Sequence, residues 1–442
     1  MGKIVIVGKD VEGGVYLNTV LMGIGHGLSD FLFGKIGGMG PEAEFFAAKI
    51  DTIRAVVDGG LHFFKIARWG KKFREFHRQK PFCAGDRMAE NIDTIQQKKI
   101  VVAMSGGVDS SVAAALLQRQ GARVQGVFMA LAQPDLAEQL HRVRAVADFL
   151  KIPLTVVDLS EPFRREVVDY FCASYFAGKT PNPCVRCNRL IKCGRLLDEA
   201  RETLGAELLA TGHYARISGD KGTGYRLLKG TDPKKDQSYF LGLLAQEQLA
   251  CLCFPLGGVR KEEVYDLAAE FGLAFRDTAE SQDICFLKHQ SVAEFLSSHS
   301  PGQGRPGPML SLQGEELGLH AGIHQYTIGQ RRGLGLPDAT PWYVVGLDPE
   351  RNAVLVGKDE DLRQQEVVLS AVHWLSGQPP FLPHVCEVKI RSRHPACQAE
   401  ITHQEKGGVR LTFSQSQRAV TPGQFAVFYD GEEVLGCGEI AK

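Results

Sequence analysis

The sequence lacks a surplus of charge of either sign, because 51 basic and 51 acidic residues give a formal net charge of zero. This balance excludes a protein that coats nucleic acid by charge alone, although it leaves room for a local basic patch. Long apolar runs are also absent, since Gly, His and Asp interrupt the apolar stretch at residues 15–33. No transmembrane helix or signal peptide is therefore predicted, and we expect a cytoplasmic protein without a membrane partner.

Internal repeats and low-complexity tracts are absent as well, and 442 residues predict two to four domains. Changes in composition divide the chain into four parts. Residues 1–97 are an N-terminal extension of unknown role, 98–295 an α/β domain, 296–362 a small central β domain, and 363–442 a C-terminal β-barrel-like domain. Within the extension, residues 3–8 are predicted as a strand, residues 41–57 as helical, and residues 71–80 as a solvated basic helix face.

Apolar runs of strand length alternate with helix-length segments from residue 98 onward. The predicted strands are 100–104, 124–131, 154–159 and 207–211, and the predicted helices are 110–120, 136–150 and 188–204. This alternation predicts a parallel α/β sheet. Beyond about residue 300, frequent Gly and Pro and short alternating runs predict one or two small β domains, with a break near 360–366.

The strongest motif reads SGGVDSS at residues 105–111, between a predicted strand and a predicted helix. Two glycines let the backbone approach an anion closely, and the helix N-terminus offers unpaired N–H groups. Asp109 is unusual in a plain phosphate site but suits Mg²⁺ or magnesium pyrophosphate. A Walker loop is excluded because no Gly-Lys-Ser/Thr follows. The motif resembles the PP-loop of ATP pyrophosphatases, which implies ATP as a substrate, and the plainer alternative is a Gly/Ser turn.

Eleven cysteines in a chain expected to be cytoplasmic do not indicate a disulfide scaffold. Cys187 lies near the start of a predicted helix with Arg186 and Arg189 beside it, and both effects lower a thiol pKa, so a thiolate is predicted. Cys285 supplies a second thiol, so that one cysteine can carry or release sulfur and the other can resolve it by disulfide formation. The alternative is that both are small buried apolar residues.

Seven segments together resemble the tRNA-specific 2-thiouridylases of the MnmA/TRMU family. They are residues 105–111, 180–188, 210–216, 235–241, 280–286, 327–335 and 421–424, which follow the family order. The resemblance implies an α/β PP-loop domain of the adenine nucleotide alpha hydrolase type and two small mainly-β domains, the last of which binds tRNA. It also implies ATP-dependent adenylation of the 2-oxygen of the wobble uridine (U34), followed by sulfur transfer. The implied partners are the anticodon region of Lys-, Glu- and Gln-type tRNAs and a sulfur-donor protein.

The same resemblance assigns roles to single residues. Cys187 corresponds to the nucleophile, and Cys285 corresponds to the cysteine that carries a persulfide and forms a disulfide with Cys187. The implied ATP-binding residues are Ala103, Met104, Ser105, Gly106, Gly107, Val108, Asp109, Ser110, Met129 and Gly212. The implied target-base residues are Asn182, Pro183 and Cys184. The implied tRNA-binding residues are His213, Lys235, Asp236, Gln237, Arg391, Ser392 and Gln424, among which His213 could instead be a satisfied core histidine, and Lys235 and Asp236 an exposed turn pair.

The chain departs from the family pattern at Cys184, where many members have Asp. With Cys187 and Cys285, this third thiol could hold a [4Fe–4S] cluster with one open iron for a sulfide. A persulfide relay is the equal alternative, and zinc would need a fourth ligand, for which Cys193 is a weak candidate. Residues 1–97 have no family counterpart and are either an accessory domain or the product of an incorrect start site. The rival activities are another PP-loop synthetase or tRNA thiolase, and an inactive tRNA-binding protein.

Overall fold

The computed structural model describes residues 2–9, 15–22, 52–57, 60–65, 95–131, 133–273, 284–287, 290–300, 302, 304–404 and 408–441. The chain divides into two compact units, Met1–Glu90 and Asn91–Lys442. The basic run at 71–80, most of the predicted helix at 41–57 and part of the motif at 280–286 lie outside the described residues. Within the described part of the chain, no helix is long and apolar enough to cross a membrane.

The first unit contains two antiparallel hairpins. They pair β1 (Gly2–Lys9) with β2 (Val15–Met22), and β3 (Thr52–Val57) with β4 (Gly60–Lys65). The strand predicted at 3–8 is confirmed by β1. The helix predicted over 41–57 is wrong over 52–57, because β-branched residues dominate that segment and favour an extended backbone that pairs with β4.

The second unit begins with a five-stranded parallel sheet in the order β11-β8-β5-β6-β7, which confirms the predicted α/β class. Its strands are β5 (Lys99–Ala103), β6 (Arg123–Ala130), β7 (Leu154–Asp158), β8 (Leu208–Ala210) and β11 (Leu252–Cys253). The chain runs from central β5 outward to β6 and β7, and later returns to β8 on the other side of β5. The strand order therefore reverses between β8 and β5, where open α/β sheets bind ligands at the carboxyl ends of their strands.

Helices connect and cover these strands. They are α1 (Val108–Arg119), α2 (Leu136–Leu150), α3 (Ser160–Phe163), α4 (Asp169–Phe176), α5 (Pro183–Cys187), α6 (Leu196–Glu202), α7 (Gln246–Leu249), α8 (Lys261–Glu270) and α9 (Val292–His299). Two π-helical turns span Arg164–Val168 and Asn188–Arg195, and short 3₁₀ turns span Ser238–Leu241, Ile323–Gln325 and Glu360–Leu362. The prediction of α2 is confirmed over its full length, whereas the helix predicted at 188–204 begins with a π turn rather than an α-helix.

A small four-stranded sheet follows in the order β13-β12-β15-β14. Its strands are β12 (Gly307–Ser311), β13 (Glu316–His320), β14 (Tyr343–Asp348) and β15 (Ala353–Gly357). The sheet has its own apolar core, in which Met309, Val344 and Val356 are almost fully buried. This core agrees with the prediction of a mainly-β segment after the α/β part.

The C-terminal strands close into an antiparallel barrel, because β16 pairs with both β19 and β21. The strands are β16 (Arg363–Trp374), β17 (His384–Lys389), β18 (Cys397–His403), β19 (Val409–Arg418), β20 (Phe425–Asp430) and β21 (Glu433–Ile440). Side chains such as Ile401, Leu411 and Phe428 fill its interior, as expected for a barrel of this size.

One hairpin from the α/β part of the chain joins this barrel sheet. β9 (Ala215–Asp220) pairs with β10 (Gly224–Lys229), and β10 pairs with β21, so that Leu227 lies opposite Val434. The sequence did not indicate this pairing, since the partners are far apart in the chain. The barrel sheet therefore continues into a hairpin that begins shortly after the carboxyl end of β8.

Candidate active site

The SGGVDSS loop lies between β5 and α1, at the point where the strand order reverses. Its own side chains hold its shape: the Ser105 N–H donates to Ser110 Oγ at 3.2 Å, and the Ser111 hydroxyl donates to Gly107 O at 2.9 Å. Because the first N–H groups of a helix have no partner within the helix, the loop can bind an anion at the start of α1.

Three glycines allow close approach around this loop. Gly106 has φ +77°, and a Cβ there would lie 3.1 Å from Arg142 Cβ. A Cβ on Gly212 would lie 3.0 Å from the backbone nitrogen of Ser110, so the end of β8 packs directly against the loop. Gly107 differs, because among the described residues the only atom that its Cβ would meet within 4 Å is Ser105 Oγ, at 3.5 Å. The space beside Gly107 is therefore open to a ligand.

We expect Gly107→Ala to weaken ATP binding by about tenfold or more while leaving the thermal midpoint of unfolding nearly unchanged. The added methyl group would meet little of the protein but would occupy space that a phosphate needs at a helix N-terminus. Isothermal titration with ATP and differential scanning calorimetry measure the two effects. Gly212→Ala is the comparison variant, since its methyl group would press on protein backbone, and it should lower both quantities.

The remaining residues predicted to bind ATP lie along the same edge of the sheet. Ala103 ends β5 opposite Val127 of β6, and the Met104 N–H donates to Val127 O at 2.8 Å. Met129 lies two residues farther along β6, next to Ala130 at the end of the strand. The structure thus brings Ala103, Met104 and Met129 to the edge that carries the loop.

Asp109 takes part in an ion pair in which the lysine is buried and the carboxylate is partly exposed. Its carboxylate accepts hydrogen bonds from Lys261 Nζ at 2.7 and 2.9 Å and from the Tyr214 hydroxyl at 2.7 Å. Lys261 is 7% exposed and is the first residue of α8. No local pattern indicates these partners, because they lie 152 and 105 residues from Asp109. A single carboxylate beside a phosphate site fits Mg²⁺, which takes one or two carboxylates and completes its shell with phosphate and water.

The three thiols of the predicted sulfur site lie within electrostatic range of one another. Cys184 and Cys187 are one turn apart on α5, and the charge state of Cys285 influences the pKa of both. Cys187 is buried, Cys184 is partly buried and Cys285 is exposed. The structure therefore brings Cys285 near Cys187, which lies 98 residues before it in the sequence, and near Cys184.

The predicted thiolate at Cys187 is contradicted, because burial raises the pKa of its thiol to about 12. Burial likewise raises the pKa of Cys184, and protein around the exposed Cys285 raises the pKa of that thiol too. The flanking arginines point to other partners: Arg186 lies 4.1 Å above the Tyr170 ring, and Arg189 donates to Leu243 O at 2.6 Å. The cation that lowers the pKa of all three thiols is Lys192, which the sequence did not single out.

The thiols do not fit an iron–sulfur cluster in this arrangement. Among the described residues, no group of three or more His, Cys, Asp or Glu side chains is placed to hold a metal ion. Cys184, Cys187 and Cys285 are therefore not positioned as a set of three ligands. Cys193 does not complete a zinc site either, since it is fully buried in the apolar core.

A barrel loop holds the segment that leads into α5. Gln424 Nε2 donates to Thr180 O at 2.8 Å, and the Thr180 N–H donates to Pro422 O at 2.9 Å. Asn182 then occupies the N-cap position of α5, and Pro183 is its first residue. The barrel thus contacts the segment containing the predicted target-base residues, and Gln424, predicted to bind tRNA, contributes one of these bonds.

Several residues predicted to bind tRNA make internal contacts near the end of β8. Asp236 accepts from the N–H groups of Gly230 and Ser238 at 2.9 and 3.1 Å, and Gln237 Oε1 accepts from the Tyr214 N–H at 3.0 Å. Lys235 lies in the same turn, directly before Asp236. These contacts fix the turn, which leads from β10 into the 3₁₀ helix at Ser238–Leu241.

His213 is uncharged in this structure. Its Nδ1 is 2.6 Å from Thr211 Oγ1, its ring packs edge-on against Phe254, and burial, with a smaller effect of Lys192, lowers its pKa to about 3. A neutral imidazole does not attract phosphate as a cation would, so any contact of His213 with RNA is a hydrogen bond or a stacking contact.

Arg391 and Ser392 follow β17 on the barrel. The Arg391 guanidinium donates to Ala419 O and to the Thr421 hydroxyl, and burial lowers the pKa of this arginine. Ser392 lies in the turn that follows. Arg391 is therefore hydrogen-bonded to the residues that follow β19 and lead into the loop containing Gln424.

The anion-binding loop lies where the strand order of the parallel sheet reverses, between β8 and β5, and the cysteines lie near it. These features define an α/β enzyme of the PP-loop class. Three family models match consecutive segments: a tRNA methyl transferase HUP domain over residues 98–289, a tRNA methyl transferase PRC-barrel domain over 293–358, and an aminomethyltransferase beta-barrel domain over 364–440. The chain belongs to the family of tRNA-specific 2-thiouridylases called MnmA, as the sequence resemblance implied.

Two relatives illustrate the match. The tRNA-specific 2-thiouridylase MnmA of Desulfotalea psychrophila is 48% identical over 342 residues, which cover 77% of this chain and 98% of the relative. The protein of the same name from Roseiflexus sp. is 46% identical over 371 residues, which cover 78% of this chain and 99% of the relative. Nearly the whole length of each relative is thus represented in this chain.

Proposed function

We propose that the protein is a sulfurtransferase that uses ATP to replace the 2-oxygen of the wobble uridine (U34) of tRNA with sulfur. The observation that carries this proposal is the closeness of the thiol site to the nucleotide loop. Lys192 acts electrostatically on both Cys187 and His213, and His213 follows Gly212, which packs against the loop. An activated base and a sulfur donor can therefore meet in one site.

In the first step, the 2-oxygen of the uridine attacks the α-phosphorus of ATP. A phosphorus–oxygen bond forms, the bond to the β-phosphate oxygen breaks, and pyrophosphate leaves. The N–H groups at the start of α1 and the hydroxyls of Ser105 and Ser110 stabilise the negative charge on the phosphates. Asp109 would hold Mg²⁺ with the phosphates once its carboxylate exchanges Lys261 for the metal, and Mg²⁺ would neutralise the charge on pyrophosphate.

In the second step, a persulfide on Cys285 supplies the sulfur. Its exposure suits it to receive a sulfur atom from a donor protein, whereas Cys187 is buried. The terminal sulfur attacks C2 of the base and AMP leaves with the C–O electron pair. The Cys187 thiolate then attacks Sγ of Cys285, the sulfur–sulfur bond breaks, and its electron pair stays on the transferred sulfur. The products are 2-thiouridine, AMP and a Cys187–Cys285 disulfide, which an external thiol reduces.

The tRNA contacts are proposed for the face where the barrel loop meets the segment before α5. Lys235 and Arg391 suit backbone phosphates, and Gln237, Ser392 and Gln424 suit hydrogen bonding to the loop nucleotides. A splayed anticodon base would enter beside the segment 182–184. By family, the tRNAs are those for Lys, Glu and Gln, and the enzyme works in the cytoplasm beside them.

The experiment is a thiolation assay with purified protein, Mg²⁺, ATP, unmodified tRNA and a sulfide source, read by mass spectrometry of the nucleosides. The expected result is 2-thiouridine with one AMP and one pyrophosphate per product. The proposal fails if the protein makes no 2-thiouridine yet converts ATP to AMP with another acceptor. That result would identify a different PP-loop enzyme.

Cys285 is expected to react with iodoacetamide at pH 8 roughly tenfold faster than Cys187 in the protein without substrates. The reason is access, since Cys285 is exposed while Cys187 is buried and its pKa is about 12. Mass spectrometry of the cysteine peptides over time measures both rates. Equal rates would contradict the assignment of Cys285 as the sulfur acceptor.

A further inference from the structure

We propose that Lys192 is the charge-stabilising residue of the sulfur site, placed by the π-helical turn Asn188–Arg195 on the helix face that carries Cys184 and Cys187. There its ammonium group stabilises the sulfur anions that form during transfer. The inference deepens the proposed function and rests on it for the identity of the reaction. Lys192 is a positioning residue here, since it acts through the cysteines.

The π turn determines which residue faces Cys187. In an α-helix each residue turns by about 100°, so the fifth residue after Cys187 would lie about 140° away around the helix. A π turn, closed by i→i+5 bonds, advances about 80° per residue, and five residues return to within about 40° of the start. The π geometry thus moves Lys192 onto the face of Cys187, with Cys184 one turn earlier.

Neighbouring residues hold the π turn in place. A Cβ on Gly194 would lie 2.8 Å from Arg189 O, so the close backbone approach at this point requires glycine. Gln248 Nε2 donates to Arg189 O at 2.8 Å and to Cys193 O at 2.7 Å, which satisfies two carbonyls of the turn. The unusual turn is therefore a supported feature of the fold, and such turns often occur at functional sites.

The surroundings of Lys192 are unusual for a partly buried ammonium group. Burial alone would lower its pKa, but four thiols act in the opposite direction and leave the pKa raised. These thiols are Cys187, Cys184, Cys285 and Cys193, and the nearby His213 is neutral. Asp135 has a smaller influence on Cys285 and raises the pKa of that thiol. A lysine withdrawn from water normally has a carboxylate partner, whereas the groups that raise the pKa of Lys192 are thiols, which provide negative charge only when they ionise.

The test compares Lys192→Met, Lys192→Gln and Lys192→Arg with the unmodified protein, and uses Arg195→Met as the matched control. Arg195 is an exposed cation on the same π turn. The alkylation rates of Cys187 and Cys285 are measured against pH by peptide mass spectrometry, without tRNA or ATP. A nearby charge shifts a thiol pKa by about one unit or more, and one unit is about a tenfold change in thiolate fraction.

The expected result is that Lys192→Met and Lys192→Gln slow both cysteines by about tenfold at pH 8 and move the rate profile toward higher pH. Lys192→Arg should stay within about threefold of the original rates because it retains the charge, and Arg195→Met should have no effect. The thermal midpoint of Lys192→Met should not fall, since no carboxylate among the described residues loses a partner.

Unchanged rates and an unchanged pH profile in both neutral variants would overturn the proposal. So would a Lys192→Arg variant as slow as Lys192→Met with an equally lowered thermal midpoint, because that pattern indicates a packing role. The alkylation experiment does not depend on tRNA thiolation. If the protein makes no 2-thiouridine while the alkylation results hold, the proposed function fails and the role of Lys192 stands.

Discussion

Replacing Cys187 with serine is expected to lower the rate of 2-thiouridine formation by at least about 10³-fold. Serine fits the buried site, but its oxygen cannot form the disulfide that releases the transferred sulfur. Adenylation does not need the thiol, so a single turnover should still release about one pyrophosphate per enzyme. Thiolated nucleoside and pyrophosphate are measured in the same quenched samples.

Two further variants make this result specific. Cys285→Ser should lose thiolation to the same extent, but only Cys187→Ser should accumulate a peptide in which Cys285 is joined through the transferred sulfur to the base. Cys397→Ser is the control, because Cys397 lies on barrel strand β18, 3.7 Å from Ser414 Oγ, and takes no part in the proposed reaction. Thiolation by Cys187→Ser at a rate near that of the unmodified protein would refute the role of Cys187.

Asp109→Asn is expected to reduce ATP-dependent pyrophosphate release by about 10³-fold and to lower the thermal midpoint by about 5 °C or more. Activity falls because an amide binds Mg²⁺ far less well than a carboxylate. Stability falls because the change removes a carboxylate that accepts from the buried Lys261 ammonium at 2.7 Å. Quenched-flow assays and calorimetry measure the two quantities.

The double variant Asp109→Asn with Lys261→Met separates these effects. Removing both charges of a buried pair is often close to neutral for stability, so most of the thermal midpoint should return. Pyrophosphate release should remain low, because the carboxylate is still missing. If activity returned together with stability, Asp109 would have only a structural role at the start of α1.

Local patterns in the sequence were sufficient for the regular elements and for the anion-binding loop. The helix α2 has an apolar stripe of helical period and was predicted with its observed bounds, and the strand β7 is a short apolar run that was predicted one residue too long. The loop at 105–111 was recognisable because an anion site of this kind is built from adjacent residues. Cys187 and Cys285 were identified by family resemblance, since spacing alone does not link distant thiols.

The missed features depend on contacts between distant segments. Tyr214 and Lys261 reach Asp109 from two other elements, and no local spacing reports such a meeting. The thiol pKa was predicted in the wrong direction because burial outweighs a short helix and two arginines that face elsewhere. Lys192 was overlooked because an ordinary α-helix would turn it away from Cys187, and a π turn held by Gln248 is not apparent in the sequence.

The hairpin that joins the barrel sheet links the barrel to the nucleotide loop through continuous backbone. β10 is bonded to barrel strand β21, and β9 begins three residues after Gly212, whose position controls the space at the nucleotide loop. A shift of the barrel on binding an RNA would therefore reach the loop through continuous backbone, and ATP in the loop would act back on the barrel. By thermodynamic linkage, the factor by which tRNA changes the affinity for ATP equals the factor by which ATP changes the affinity for tRNA. Under the proposed function, the hairpin would therefore carry the coupling by which each substrate changes the affinity for the other.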